Sequence, residues 1–243
     1  MNTTGSEHIV RAYDEELEQL TNMISQMGGL AESQFDAAMQ AIEKRDDDLA
    51  MRTREKDKEI DQLEHDIEVL AVRMIATRQP MANDLRYIIS CLKTSSDIER
   101  LGDYAKNMAK RAIVLNQVPT MQTTRSVLRM GRLVQKMIND VFDAFLAGDK
   151  DKAINVWESD EEVDNHYTSL FRELLTYMME DPRNITPCTH LLFIAKNIER
   201  MGDLTTNIAE SIYFRVEGKV LADNRPKADA SNYTLLDPDD DQN

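Results

Sequence analysis

Apolar residues recur every three or four positions along most of this chain, which is the spacing of one face of an α-helix. The first such stretch runs from Tyr13 to Ile42. Prolines break helix interiors, and the six prolines, at positions 80, 119, 182, 187, 226 and 238, divide the later stretches. The pattern therefore predicts long helices joined by short turns.

Helix-capping and helix-breaking residues between these stretches set the predicted helix boundaries. The second helix begins after Asp46-Asp47-Asp48, whose side chains are good helix N-caps, and ends at Arg78-Gln79-Pro80. The third helix extends from about Asp84 to Asn116. The fourth and fifth helices meet at Ala147-Gly148-Asp149, and the sixth ends near Gly218. This arrangement predicts six helices, three in each half of the chain.

The two halves carry matching residues, which indicates an internal duplication. At an offset of 103 residues, Asp57, Ile60 and Asp61 match Asp160, Val163 and Asp164. Nearer the end of each half the offset is 100 residues, and segment 98–103 matches segment 198–203. Short turns make successive helices antiparallel. We therefore predict an all-α fold of two tandem up-down-up three-helix bundles with pseudo-twofold similarity, at residues 8–117 and 120–218, and a disordered acidic tail at 219–243.

Composition and charge narrow the classes of function. Only eight glycines and six prolines occur in 243 residues, which argues against a loop-rich enzyme. The net charge of −15 disfavours binding to nucleic acid or to an anionic membrane surface. No apolar run is long enough to insert into a membrane, and the first residues lack the pattern of a secretory signal. With only two cysteines, we expect a cytoplasmic protein.

Acidic residues lie four positions apart on four of the predicted helices. The pairs are Asp57 with Asp61, Glu99 with Asp103, Asp160 with Asp164, and Glu199 with Asp203. Like charges at this spacing destabilise a helix. Because the spacing occurs four times, we expect another interaction to offset the repulsion between the carboxylates. Carboxylates without histidine or cysteine form an oxygen-only site, which predicts a hard divalent or trivalent cation, Mg, Mn, Fe or Ca, and disfavours Zn.

Glycines next to two of these pairs support a site between helices. Gly102 and Gly202 lie in helix interiors, where glycine costs about 1 kcal/mol relative to alanine. The missing side chain leaves room for an ion or for a close neighbour. The alternative interpretation is a set of solvated acidic faces with Arg100 and Arg200 as local partners.

Two other functions compete with a metal-binding helical protein that is not a catalyst. A di-metal carboxylate enzyme, of the oxidase type, uses a Glu-x-x-His motif, and no glutamate in this chain is followed by a histidine three residues later. A metal-free helical scaffold would leave the acidic faces empty. We therefore predict that the chain is not an enzyme.

Three segments resemble the signatures of the PhoU family. They are Asp97-Ile98-Glu99-Arg100-Leu101-Gly102-Asp103, its counterpart Asn197-Ile198-Glu199-Arg200-Met201-Gly202-Asp203, and Arg78-Gln79-Pro80-Met81-Ala82-Asn83-Asp84-Leu85-Arg86. The resemblance covers about residues 8–218. Each segment alone is weakly specific for the family. The duplicated set in this order is strong evidence for the resemblance.

The resemblance implies a function in phosphate regulation. Members of the family negatively regulate the bacterial phosphate-starvation response and restrain phosphate uptake. They link the ATPase subunit of the high-affinity phosphate ABC transporter to a sensor histidine kinase, are cytoplasmic and often form homodimers. Some carry metal clusters on the acidic pairs, which here correspond to Asp57, Asp61, Glu99 and Asp103, and to Asp160, Asp164, Glu199 and Asp203.

The sequence departs from the family pattern in two places. Lys110 stands in the first repeat where the second has Glu210, and the second repeat has no counterpart of Arg78-Gln79-Pro80. We therefore expect the two sites to differ in affinity, and the first repeat to carry more of the contact with partners.

Overall fold

The computed structural model describes residues 3–55 and 57–221, and it describes their side chains from Ala12 onward except at Asp57. The helices are α1 Thr3–Lys44, α2 Asp47–Glu55, α3 Asp57–Arg78, α4 Asn83–Leu115, α5 Thr124–Ala147, α6 Lys150–Glu180 and α7 Ile185–Glu217, with a short 3₁₀ turn at Pro182–Asn184. No strand occurs among the described residues. The all-α prediction is confirmed, and most of the predicted tail lies outside the described residues.

The helix ends follow the local chemistry that the sequence predicts. The Oδ1 atom of Asp46 accepts a hydrogen bond from the Leu49 N–H at 2.8 Å. The Oδ1 atom of Asp149 accepts from the N–H groups of Asp151 and Lys152, both at 3.0 Å. The predicted second helix corresponds to two helical stretches, α2 and α3, on either side of residue 56, which lies outside the description.

The turn between α3 and α4 has an unusual backbone. Gln79 and Ala82 adopt φ angles of 50° and 49°, in the left-handed region that residues other than glycine rarely occupy. Each such residue costs on the order of 1 kcal/mol. Arg78 fixes one side of the turn, because its Nε donates to Oε2 of Glu16 on α1 at 2.9 Å. The surrounding helices therefore hold the turn in this conformation.

The two bundles share one core. Helices α1 to α4 form the first bundle and α5 to α7 the second, while α4 packs against α7 and α1 against α5. The buried apolar residues form a single cluster that runs through both bundles. The largest fully buried side chains include Phe145 from the second half and, from the first half, Phe35, Leu20, Ile24, Met27, Ile60 and Ile98. The apolar faces of the two bundles thus cover each other.

A polar cluster accompanies the contact between α4 and α7. Asp97 on α4 is hydrogen-bonded to Asn207 and lies near Glu210, both on α7. Glu210 in turn accepts a hydrogen bond from Nε1 of Trp157 on α6, at 3.1 Å. Burial raises the pKa of Asp97 to about 6, although Arg100 and the hydrogen bond with Asn207 act in the opposite direction. This carboxylate therefore carries a cost when it is ionised.

None of the helices in the part of the chain that is described combines the length and the hydropathy that crossing a lipid bilayer requires.

Gly28 and Gly29 offer a matched test of the packing between the bundles. A Cβ atom at Gly28 would lie 3.2 Å from the ring of Phe142 on α5, whereas one at Gly29 would meet no atom within 4 Å. We expect Gly29→Ala to stabilise the protein by about 0.5–1 kcal/mol through helix propensity. Gly28→Ala should lose this gain, because the ring must shift. Urea unfolding measures both, and equal stabilisation by the two variants would contradict the close approach.

The raised pKa of Asp97 predicts that the stability of the protein depends on pH. Its pKa is higher in the folded than in the unfolded chain, so stability falls as the pH rises from about 4 to about 6 and stays lower above that. Asp97→Asn removes the charge and should raise the free energy of unfolding at pH 7.5 by about 1–2 kcal/mol, with little effect at pH 4. Urea unfolding at both pH values measures this, with the exposed Glu18→Gln as control. A benefit of the Asp97→Asn substitution that does not change with pH would refute the assignment.

Candidate functional site

The acidic pairs of the second repeat lie in the seam between α6 and α7. Asp160 and Asp164 on α6 are only 1% and 3% exposed, and Glu199 on α7 is 5% exposed. Asp203, one turn after Glu199, is half-buried. Ionised carboxylates are costly to bury unless positive charge or hydrogen bonds compensate them. Three such residues in one seam make this the most concentrated buried negative charge among the described residues.

Gly202 allows the two helices of this seam to approach closely. A Cβ atom at this position would lie 3.0 Å from Oδ1 of Asp160 and 3.5 Å from Cγ1 of Val163. The carboxylate of Asp160 thus packs over Gly202, which is three residues from Glu199 and adjacent to Asp203 in sequence. The sequence predicted room at Gly202 for an ion or a close neighbour, and the close neighbour is Asp160.

Lysines contribute positive charge at these carboxylates. The Nζ atom of Lys196 lies 2.9 Å from Oε1 of Glu199, and the Nζ atom of Lys106 lies 3.2 Å from Oδ1 of Asp103. Sequence reasoning named arginines instead and missed both lysines. Their signal was present, because each lysine stands three residues from its acid on the same helix.

The corresponding pairs of the first repeat are more exposed. Asp61 on α3 is exposed, Glu99 and Asp103 on α4 are half-buried, and the side chain of Asp57 lies outside the description. Glu64, on α3, is a further acid that the predicted site omits. Burial raises the pKa of Glu64, and the negative charges of Glu68 and Asp61 raise it further. A hydrogen bond with Ser96 on α4 lowers it. The duplicated sequence therefore produces two seams with different environments.

The chemistry of the donors fits a hard cation, whereas their present arrangement is not a coordination shell. All the candidate ligands are carboxylates, and in the second repeat they are screened from solvent. Among the residues whose side chains are described, no group of three or more His, Cys, Asp or Glu is arranged so that it could hold a metal ion. The metal site stays a prediction, with Asp160, Asp164, Glu199 and Asp203 as its better-shielded half.

Comparison with known sequences identifies relatives along almost the entire chain. The family model of the PhoU domain matches residues 24–112 and 127–212. A phosphate-specific transport system accessory protein PhoU homolog from Caulobacter vibrioides is 52% identical over 225 residues, which cover 92% of this chain and 98% of the relative. A homolog with the same description from Xylella fastidiosa is 46% identical over 237 residues, 98% of each chain.

Solved structures agree with these relatives. The crystal structure of PhoU from Pseudomonas aeruginosa superimposes with a TM-score of 0.83 at 41% identity, covering 85% of this chain and all of the other. The phosphate transport system regulatory protein PhoU from Streptococcus pneumoniae gives a TM-score of 0.78 at 30% identity, covering 86% and 99%. The duplicated helical architecture is therefore that of these proteins.

The names of these relatives describe accessory and regulatory proteins. In agreement with the prediction from the sequence, the chain is not an enzyme. The two domain matches, the identity over nearly the full length and the shared fold together show that this chain belongs to the PhoU family.

Proposed function

We propose that this protein is an accessory regulator of a phosphate transport system, which represses the phosphate-starvation response and restrains phosphate uptake. The observation that carries this proposal is the 52% identity, over 92% of the chain, to an accessory protein of phosphate-specific transport. In the proposed role it works as a cytoplasmic homodimer. It contacts the ATPase subunit of the phosphate ABC transporter and the sensor histidine kinase of the same regulon.

The fold suits a protein that acts through its surface. Its helices pack around one shared core. The long outer faces of the helices, and the turns at both ends of the bundles, are therefore rigid surfaces. The strained turn at Gln79 and Ala82 is part of the first repeat, and Met81 within it is 80% exposed. An apolar side chain held outward on a fixed turn is suitable for contact with a partner, which supports our assignment of partner contacts to the first repeat.

We further propose that the acidic pairs bind Mg, Mn or Fe. Asp160, Asp164, Glu199 and Asp203 would hold an ion in the second repeat, and Asp57, Asp61, Glu99 and Asp103 a weaker one in the first. The burial of Asp160, Asp164 and Glu199 supports the proposal, because a bound cation would offset their negative charge. Occupancy would alter the charge and the rigidity of the seams and so tune the surfaces that partners recognise.

A metal-free scaffold is the second candidate. It is favoured by the absence of a ready coordination group among the described side chains. In that case the lysines at Glu199 and Asp103 belong to the permanent structure, and the acids serve the stability and solubility of the bundle. Replacing Glu99, Asp103, Glu199 and Asp203 together by alanine would then leave partner binding unchanged.

Deletion of the gene in its host tests the regulatory role. We expect alkaline phosphatase to be expressed in phosphate-rich medium, because the kinase would no longer be restrained. Expression of the intact chain from a plasmid should restore repression. A pull-down with the transporter ATPase subunit tests the physical link. Normal repression in the deletion strain would refute the proposal.

Metal titration tests the acidic seams separately from the regulatory role. Since a ligand that binds only the folded state stabilises it, Mn²⁺ at about 100 times its Kd should raise the Tm by about 5 °C. Asp160→Asn should abolish most of this rise, and the exposed neighbour Glu161→Gln should keep it.

Trp157 distinguishes the two seams in the same experiment. It is the only tryptophan and lies one turn before Asp160. Paramagnetic Mn²⁺ bound in the second repeat should quench its fluorescence, and the Asp160→Asn variant should lose this quenching. A Tm and a fluorescence that both stay constant at millimolar Mn²⁺ would favour the metal-free scaffold.

A further inference from the structure

An apolar stripe runs along the outward face of α3. Val69 and Val72 are 53% and 56% exposed, and Ala76, one turn further on, is exposed as well. On a helical wheel of about 100° per residue these three lie within about 60° of one another. The buried residues Ile67 and Leu70 lie on the other side of the helix. The stripe therefore faces away from the core and has no apolar cover within the described residues.

The second repeat does not carry this stripe. At the offset of 103, Val69, Val72 and Ala76 correspond to Arg172, Leu175 and Met179 on α6. An exposed arginine thus replaces the first valine, and Leu175 is half-buried rather than exposed. Of the three matched positions on α6, only Met179 is both apolar and exposed, so the continuous stripe is confined to α3 and α6 provides a matched control surface.

The charges beside the stripe are arranged so that the face complements itself. Asp66 and Arg73 lie on the same flank, about 40° to 60° from Val69, and both are exposed. Their present partners are weak: Asp66 accepts a hydrogen bond from Gln62 on its own helix, and Arg73 lies 3.9 Å from Glu16 at the surface. Both charges are therefore able to serve an intermolecular contact.

Twofold symmetry determines which residues would meet. When two copies of a helix pack antiparallel around a perpendicular twofold axis, residues of one flank face residues of the same flank. An axis that passes between Val69 and Val72 places Asp66 opposite Arg73, twice. A parallel arrangement would instead bring Asp66 towards Glu68 of the other copy, on the opposite flank, which is unfavourable.

We propose that α3 is the self-association surface of this protein, with a second copy packed antiparallel so that Val69 contacts the partner's Val72 and Asp66 pairs with the partner's Arg73. The inference deepens the proposed homodimer and rests on it. One helix from each protomer makes a small interface, at the low end of specific contacts. The dimer is therefore concentration-dependent and, because of its two ion pairs, weakened by salt.

Charge reversal provides the decisive experiment. Asp66→Arg and Arg73→Asp, made separately, should each weaken self-association by at least about 10-fold, because like charges then face each other. An equimolar mixture of these two variants should associate again, since every facing pair in the mixed dimer is of opposite charge. The double variant should also recover. Sedimentation velocity over a concentration series at low salt measures all four samples, and circular dichroism checks that each variant is folded.

Apolar substitutions test the centre of the contact. Val72→Ser should weaken the dimer, whereas Met179→Ser, at an exposed position on the matched face of α6, should leave it unchanged. If the intact chain dimerises but neither the mixture nor Val72→Ser behaves as described, another surface forms the dimer and this inference is wrong. A chain that is monomeric at every concentration would overturn the proposed dimer as well.

A different occupant of α3 would give a different result. If Val72→Ser abolishes capture by the transporter ATPase subunit and leaves self-association intact, the stripe belongs to that partner and the inference is wrong. Retained capture together with lost self-association supports it.

Discussion

The packing of α4 against α7 is the contact on which the rest of the structure depends. The buried apolar residues of the two bundles form one continuous cluster, and the bundles meet where these two long helices lie side by side. Apart from the polar cluster around Asp97 and Asn207, the acidic rows of these two helices lie on other faces. On α4 and α7 those rows are the acids Glu99 and Asp103, and Glu199 and Asp203, which therefore meet the outer helices. The acidic seams thus lie on faces of α4 and α7 other than the one that joins the bundles.

Much of this arrangement can be predicted from the sequence, because it depends on local or repeated signals. Apolar spacing and prolines give the helices, and Asp46 and Asp149 mark helix starts that the hydrogen bonds confirm. Gly202 indicates a close approach, since a mid-helix glycine is costly without a steric reason. The partners of the acids were not foreseen: two lysines, Lys106 and Lys196, lie at Asp103 and Glu199.

The depth of each seam could not be predicted, because it depends on how closely non-adjacent helices approach. Asp61 and Asp164 occupy matching positions in the two repeats, yet the first is exposed and the second is 3% exposed. The same local sequence rule placed both on equivalent helix faces. In the second repeat α6 and α7 approach closely, with Asp160 packed over Gly202, and this tertiary contact is not visible in the local sequence. The burial of Asp97, which raises its pKa, has the same origin in contacts across the bundles.

The duplicated halves differ in where they place their carboxylates and in the face of their matched helices α3 and α6. The second repeat draws its carboxylates inward, where they are shielded from solvent and able to hold charge in a defined place. The first repeat turns apolar groups outward, on the face of α3 and on Met81 in its strained turn. Exposed apolar groups on rigid elements favour contact with other proteins. A duplication that began with two equivalent bundles thus provides one half with buried carboxylates and one with an exposed apolar stripe on α3, joined by one core.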